Sequence, residues 1–569
     1  MSRNLAIADQ SEPAVGFITR WTVSGDATAR TITLPLPSAR VEGALAYDCI
    51  IDWGDGSPTS HVTAYDDPNR IHTYALDGTY NVEIRGTCEG WNFNNGGDCL
   101  KIVAVVNWGT SAYFNGFKSL LNAFYGCSNL TSLGVGTILA SGSGVLQGFA
   151  LTFALCKMAS IPPDLFMHHT NVTTHAFENT FLGCSALTSI PKNLFKYNIL
   201  ASDYAFMSTF NLCTSLASIP PDLFRYNTQA AIQGFYATFR GGAFTSIPTD
   251  LFRYNTLVSG QGFNSTFYQC TSLASIPTDL FRYNTLTSGA AFQQTFYGCT
   301  SLTSLPADLF KYNPLPALNG FRSCFYQCTS LASIPADLFR YNTAVADTGF
   351  RSTFNGCSSL TAIPADLFRY NTAVSTGGFQ YTFYNCTSLA SVPADLFRYN
   401  TACNDFSNVF NGCVKLQVPS NLFYEPGEET TRFLGQAMIF DSAFSRNSFS
   451  GIQGTAPNLW ECDFGESITL STAPAADWDP GDTITGQSSG ATAVVVSKTS
   501  SLTYKIKQHL GTFTLGEIVG VTGVPTKLAV QDGTSPTFSG TPSSAGCFGG
   551  AGNSPASLNN YASIPSQWE

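Results

Sequence analysis

From about Phe117 to Phe423 the apolar positions of the chain fall in one recurring phrase. TFYQCTSLASIPTDLFRYN at Thr266 to Asn284 returns as TFYGCTSLTSLPADLFKYN at Thr295 to Asn313. In the unit from Phe350 to Asn371 the apolar residues are Phe350, Phe354, Cys357, Leu360, Ile363, Leu367 and Phe368. Their spacing by threes and fours as far as Leu360 predicts a short helix over GFRSTFNGC. Ser359 to Ile363 then predicts a strand of a few residues, closed by Pro364, which has no N–H to give a ladder. Pro364, Ala365 and Asp366 predict a second helical turn, with proline first and an acid near its positive end. A unit this short cannot bury its own apolar face and must lean on its neighbours.

Cysteine marks the period. Cys127, Cys156, Cys184, Cys213, Cys270, Cys299, Cys328, Cys357, Cys386 and Cys413 follow one another at about 27 to 29 residues, with Gly242 in the one missing slot. One cysteine per repeat does not make the close C-x-x-C pairs that zinc takes, so the column reads as buried thiols acting as small hydrophobes. Asn198, Asn227, Asn255, Asn284, Asn313, Asn342, Asn371 and Asn400 each follow a tyrosine or its equivalent at a turn, where an amide can cap unpaired backbone groups. Acids at Asp250, Asp279, Asp308, Asp337 and Asp366 stand three residues before Arg253, Arg282, Lys311, Arg340 and Arg369. That spacing predicts a self-neutralised, solvated face. The segment after each Tyr-Asn varies, and it supplies the candidate binding loops: Gln229, Gln233, Gln261, Asn319, Asp347 and Thr376.

The pattern C-x-x-L-x-x-I-P preceded by F-x-x-T-F resembles the BspA-type leucine-rich repeats of bacterial and phage surface proteins. The resemblance implies a leucine-rich-repeat-like solenoid of about ten repeats, built of short parallel strands plus short helices, used for adhesion and carrying no catalytic residues. Before the repeats, the alternating strands include Asp52-Trp53-Gly54-Asp55-Gly56, then His72-Thr73-Tyr74 and Gly78-Thr79-Tyr80-Asn81-Val82. These resemble the polycystic-kidney-disease (PKD) domain, which implies an immunoglobulin-like β-sandwich capping the repeats. Asp52 and Asp55 are expected to shape a hairpin, with His72 packed beside Tyr74 and Trp53; a catalytic or metal group is the alternative. Cys88 and Cys99 bracket a Gly/Asn-rich loop and would pair in an oxidising medium. His168, His169 and His175 sit where other repeats carry Arg-Tyr-Asn, which favours substitution in a surface column over a metal site.

Past Phe423 the pattern fades. GDTITGQSSGATA and GTFTLGEIVG predict alternating strands and resemble small all-β modules of phage virion proteins. Cys547-Phe548 and Leu558 to Pro565 restate the repeat phrase, so the β module reads as an insertion within the last repeat. The expected organisation is an N-terminal arm over 1–14, a PKD-like sandwich over 15–107, repeats over 108–464, an inserted β module over 465–538 and a closing repeat over 539–569.

Composition narrows function. The 569 residues carry a net charge of −10 with only 12% charged residues, which argues against a nucleic-acid partner. No run of about 20 apolar residues predicts membrane insertion. The opening MSRNLAIADQSEPAVGF does not read as a secretory signal, which predicts synthesis in a host cytoplasm, where the 17 cysteines stay reduced. No phosphate loop, nucleophile elbow or cofactor motif is present. The expectation is therefore a non-enzymatic bacteriophage virion surface protein, a tail fibre, spike or decoration subunit, without cofactor or metal. Its partners would be other virion proteins and a host cell-surface glycan or protein. A bacterial surface adhesin and a polysaccharide-cleaving tailspike are the alternatives. No heptad pattern points to a coiled coil, and a homo-oligomer stays open.

Overall fold

A computed structural model describes residues 15–568, apart from 41–42, 119, 135, 140–147, 420, 425–426, 428–430, 435, 446–452, 455–456, 458, 460–461, 512, 514–516, 523, 525–526, 531–536, 540, 545–546 and 549–567. The expected N-terminal arm and the Leu558–Pro565 restatement lie outside the described residues. The chain divides into two compact units. One runs to Leu273 and includes Asp279–Leu286; the other holds Ala274–Thr278 and the chain from Thr287 onward.

The expected solenoid of short helices and short parallel strands does not hold. Among the described residues there is no α-helix; a 3-10 turn runs over Pro68–Arg70, and single residues elsewhere take 3-10 geometry. The larger sheets are antiparallel and lie outside the regular repeats. The strand expected at Ser359 to Ile363 reduces to an isolated parallel bridge, Ala362 to Ser391.

Turns replace the helices, and the hydrogen bonds show why. In the repeat from Asn319 to Cys328, the amides of Arg322, Cys324, Tyr326 and Cys328 bond three residues back, each closing a β-turn. The amides between them, on Phe321, Ser323, Phe325 and Gln327, bond instead to Gly349, Arg351, Thr353 and Asn355 of the next repeat. An α-helix would consume every such N–H internally; here half are spent pinning one repeat to the next. Asn319, Ser323 and Gln327 take positive φ values of 56°, 53° and 55°, so a left-handed residue recurs every fourth position. That period of four still returns Phe321 and Phe325 to the interior, which is how turns imitate helical spacing. The second expected helical turn is also a string of turns, with Arg369 bonding back to Asp366 and Asn371 to Phe368.

Within each unit, side chains stack in columns. Phe321 lies on Phe350 at 5.8 Å, Phe325 on Phe354 at 5.6 Å and Phe339 on Phe368 at 6.2 Å, all near parallel. Three buried donors tie the turns to the preceding repeat. Thr353 Oγ1 donates to the Phe321 carbonyl at 3.0 Å, Cys357 Sγ to Phe325 at 3.2 Å, and Asn342 Nδ2 to Phe310 and Asn313 at 3.0 and 2.7 Å. Gly242 breaks the thiol column because a Cβ there would meet the Phe244 ring at 2.4 Å. The column resumes with Cys270 Sγ donating to Phe239 at 3.2 Å. Burial pushes the Cys213, Cys270 and Cys328 thiols up to about 12. Such thiols stay protonated and serve as donors.

In the first unit, β1 (Phe17–Val23), β2 (Thr31–Thr33), β3 (Ala39–Arg40), β4 (Gly43–Ala44), β5 (Tyr47–Asp52), β6 (Ser60–Val62), β7 (Ile71–Thr73), β8 (Gly78–Cys88) and β9 (Ile102–Trp108) precede the repeats. They form a five-stranded antiparallel sheet ordered β6-β5-β8-β1-β9 and two short pairs, β2-β7 and β3-β4. The sheet hands over to the repeats through parallel bridges, Gly86 to Phe114 and Ala104 to Ser132. Trp108 meets Phe124 and Phe153 edge-on at 6.1 and 6.2 Å, joining sheet core to repeat core.

In the second unit, β10 (Gln417–Val418) and β11 (Gln453–Gly454) pair in parallel. Then β12 (Glu466–Thr469), β13 (Thr483–Gly486), β14 (Thr492–Lys498), β15 (Thr503–Leu510), β16 (Ile518–Val521), β17 (Leu528–Val530) and β18 (Thr537–Ser539) build an antiparallel sheet ordered β17-β16-β13-β14-β15-β12-β18. Ile468, Trp478, Ile484, Tyr504 and Val519 fill its core. Beyond it the chain returns to the stacked turns: the Phe440 amide bonds Ser543, the Phe444 amide bonds Cys547, and Phe444 stacks on Phe548 at 5.3 Å.

Candidate recognition surface

The expected binding loops divide in two. Gln229, Gln261, Asp347 and Thr376 are exposed, while Gln233 and Asn319 are half-buried at positive φ. In the second unit three of them align on successive repeats: the Asn319 amide bonds the Asp347 carbonyl at 3.2 Å, and the Thr348 amide bonds that of Thr376 at 3.1 Å. Their polar groups serve one another. Thr348 Oγ1 donates to Asn319 Oδ1 at 2.6 Å, and Ser375 Oγ donates to Asp347 Oδ1. In the first unit Gln229 and Gln261 face solvent and Gln233 is half-buried.

The more continuous surface is one the charge columns hid. Each basic residue pairs with the acid three residues before it, from Arg253 with Asp250 at 3.5 Å to Arg369 with Asp366 at 3.0 Å. It also reaches the tyrosine of the following repeat. Arg225 lies 5.3 Å from the Tyr254 ring, Arg253 5.5 Å from Tyr283, Arg340 5.2 Å from Tyr370 and Arg369 4.9 Å from Tyr399. The Asp337 hydrogen bond, then the Tyr370 ring, holds Arg340 above the usual arginine range. The acids therefore neutralise the cations, and each cation lies over one face of a tyrosine ring.

Several rings are left open to solvent: Tyr226 is 42% exposed, Tyr283 37%, Tyr341 42% and Tyr370 38%. Two residues past each Tyr-Asn, Leu257, Leu286 and Leu315 are also exposed. Each unit thus presents flat aromatic faces at repeat spacing, beside apolar side chains and polar loops. Near the end of the tyrosine column in the second unit, Arg398, Tyr399, Arg432 and Gln436 line a cavity of about 520 Å³. The signal for the tyrosines is in the sequence: Tyr-Asn recurs once per repeat, each time after an arginine or a lysine, from Lys196 to Asn400.

The remaining candidates fall into structural places. Asp52 and Asp55 accept from the Gly54 and Ser57 amides at 2.9 and 3.0 Å, shaping the turn. His72 stacks on Trp53 at 4.8 Å and its Nε2 lies 2.9 Å from Asp55. Burial pushes the Asp55 carboxyl up, but the Ser57 and His72 contacts outweigh it and bring it down to about 2. Cys88 and Cys99 are buried, free thiols rather than a disulfide; the Cys49 thiol on the neighbouring strand β5, then burial, pushes the Cys88 thiol up.

The histidines do not form one surface column. His169 is buried at the slot that asparagine fills elsewhere, its carbonyl taking Asn198 Nδ2 at 2.8 Å. His175 Nδ1 pairs with Glu178 at 2.6 Å and its ring stacks on Tyr204 at 4.7 Å. Among the described residues no group of three or more His, Cys, Asp or Glu side chains could hold a metal ion. Among them, too, no helix is long and apolar enough to cross a membrane.

No protein-family model matches the chain, and no curated protein matches it. Solved structures it is similar to include two of the Toll–Spatzle complex from Drosophila. The glycosylated form is 14% identical, covering 61% of this chain and 50% of that one with a TM-score of 0.25. The second is 13% identical, covering 60% and 55%, with a TM-score of 0.23. The chain spans about half the length of the chains it matches, and a likeness of that size carries no argument about fold or function.

Proposed function

We propose that this is a non-enzymatic virion surface protein that holds a host cell-surface glycan on the tyrosine faces of its repeats. The observation that supports this is the exposed rings within each unit, Tyr226 and Tyr283 in the first and Tyr341 and Tyr370 in the second, each with a cation beside it. Flat rings offer stacking area at low entropic cost, because a tyrosine has two side-chain torsions to freeze. A polymer of similar units would engage several rings at once, so weak contacts add through effective concentration. Acids spaced one per repeat and paired with cations are poor candidates for the two-carboxylate chemistry of glycan cleavage, which needs a raised acid facing a second carboxylate.

The test is incubation of the purified full chain with isolated bacterial envelope polysaccharides, reading both retention and products. Retention without new oligosaccharide supports the proposal. Release of oligosaccharide makes the protein a depolymerase and removes the non-enzymatic reading.

A further inference from the structure

In the second unit Phe292, Phe321, Phe350 and Phe379 stack on successive repeats, at 5.7 to 5.8 Å. The residue after each of them occupies one repeated slot, which holds Gln293, Arg322, Arg351 and Gln380 in turn. The two arginines belong to repeats in direct register, since the Ser323 amide bonds the Arg351 carbonyl at 2.9 Å. Two cations therefore stand one repeat apart, both half-buried and so open to solvent on one side. The repeats on either side fill the slot with neutral glutamine, so the stacking of turns does not call for a positive charge here.

No acid answers either cation. Among the described residues neither Arg322 nor Arg351 forms an ion pair, whereas Lys311, Arg340 and Arg369 pair with Asp308, Asp337 and Asp366. Arg322 Nη1 reaches Asn319 Oδ1 at 3.5 Å, an oxygen that already accepts from Thr348 Oγ1 at 2.6 Å. Arg351 lies 5.9 Å from the Tyr381 ring. Asp347, the acid of the neighbouring loop, accepts from Ser375 Oγ. Burial first, and the Arg351 charge second, draw Arg322 below the usual arginine range. Two like charges held together and partly desolvated work against folding. A guanidinium fork matches the oxygens of a carboxylate or a phosphate, so an oxyanion is the counter-charge this pair suits.

We propose that Arg322 and Arg351 together hold one oxyanion, a carboxylate or phosphate substituent of an acidic surface glycan. The site rests on the glycan reading above and adds to it the class of polymer, one that carries negative groups rather than a neutral chain. Each guanidinium donates to the anion from its own repeat, so a single substituent spans two repeats. Partial burial leaves such a pairing less screened by salt than a fully exposed one. The two arginines lie outside the tyrosine column, so either contact can be lost without the other.

The experiment measures retention of the full chain on bacterial envelope polysaccharide in three forms: as isolated, after carbodiimide-mediated reduction of its carboxyls, and after removal of its phosphates with hydrogen fluoride. Two variants accompany it, Arg322→Gln and Arg351→Gln, each installing the residue that neighbouring repeats carry in the slot. The expected result is that one treatment weakens retention about tenfold, which tells carboxylate from phosphate, and that each variant loses as much on the untreated polymer. The treated polymers test the site on the unaltered chain, so a variant that fails to fold does not spare it. Retention unchanged by both treatments, or unchanged in either folded variant, overturns the arginine site and leaves the tyrosine faces. Absence of retention on every form removes the glycan reading itself, and this site with it.

Discussion

Asn342 shows how a single side chain holds two repeats together. Its amide nitrogen donates backwards to the carbonyls of Phe310 and Asn313 while the whole residue is buried. Its Oδ1 has no hydrogen-bond partner, so the donors alone justify the residue. Asn342→Ala removes both of these bonds, while the Phe310 carbonyl keeps the Asn313 amide, at a cost of about 1–3 kcal/mol. Native-state hydrogen exchange should show the amides of that repeat losing protection while the C-terminal sheet is unchanged; uniform loss, or none, contradicts this. Arg432 takes the same role where the column ends, donating from Nη2 to Phe397 and Asn400.

In the first unit His169 occupies the slot that asparagine fills in the following repeats. Burial holds its pKa down at about 4, against an ordinary 6.5. The unfolded chain therefore takes up a proton first as pH falls. Stability from this residue is complete above about pH 6.5 and is lost progressively toward pH 4, by about 3 kcal/mol in total. His169→Asn, the residue other repeats carry, should flatten that part of the stability profile. An unaltered profile in urea titrations between those pH values would place the ring in solvent.

At the scale of the element, the turn string decides the fold. Ser352 has φ of 56°, a conformation that side chains with a Cβ adopt at a cost and glycine does not. Ser352→Gly should therefore be more stable than Ser352→Ala, by about 1 kcal/mol. In an α-helix the order reverses by a similar amount. Far-UV circular dichroism without the helical double minimum would agree with the first outcome.

This is also where the sequence could be read and where it could not. The period, the burial of Phe350, Phe354 and Cys357, and the alternation that gives β13 and β14 followed from apolar spacing alone. Apolar spacing predicts helix where turns form, because both return a side chain to the core every third or fourth residue. What tells them apart is which N–H bonds where, and side-chain spacing does not record that. The small or polar residues at every fourth position, Asn319, Ser323 and Gln327, were the available hint. Of the candidate site, the loop residues were legible through their variation, and the tyrosine column was visible only as a repeat. Arg322 and Arg351 were legible as two arginines at one repeat's spacing but not as cations without an acid, since spacing does not record which charges meet.

For the whole molecule, repetition serves recognition under the proposed function: buried columns fix the spacing, and the rings exposed by that spacing would do the holding. The most direct measurement is retention on bacterial envelope polysaccharide of three proteins: the full chain, a variant with Tyr226, Tyr283, Tyr341 and Tyr370 all changed to alanine, and a variant with Gln229, Gln261, Asp347 and Thr376 changed likewise. All the altered positions are exposed, so folding should survive. The account predicts about tenfold or greater loss for the tyrosine variant and little change for the loop variant. Retention that survives loss of the tyrosines but not of the loops would contradict it.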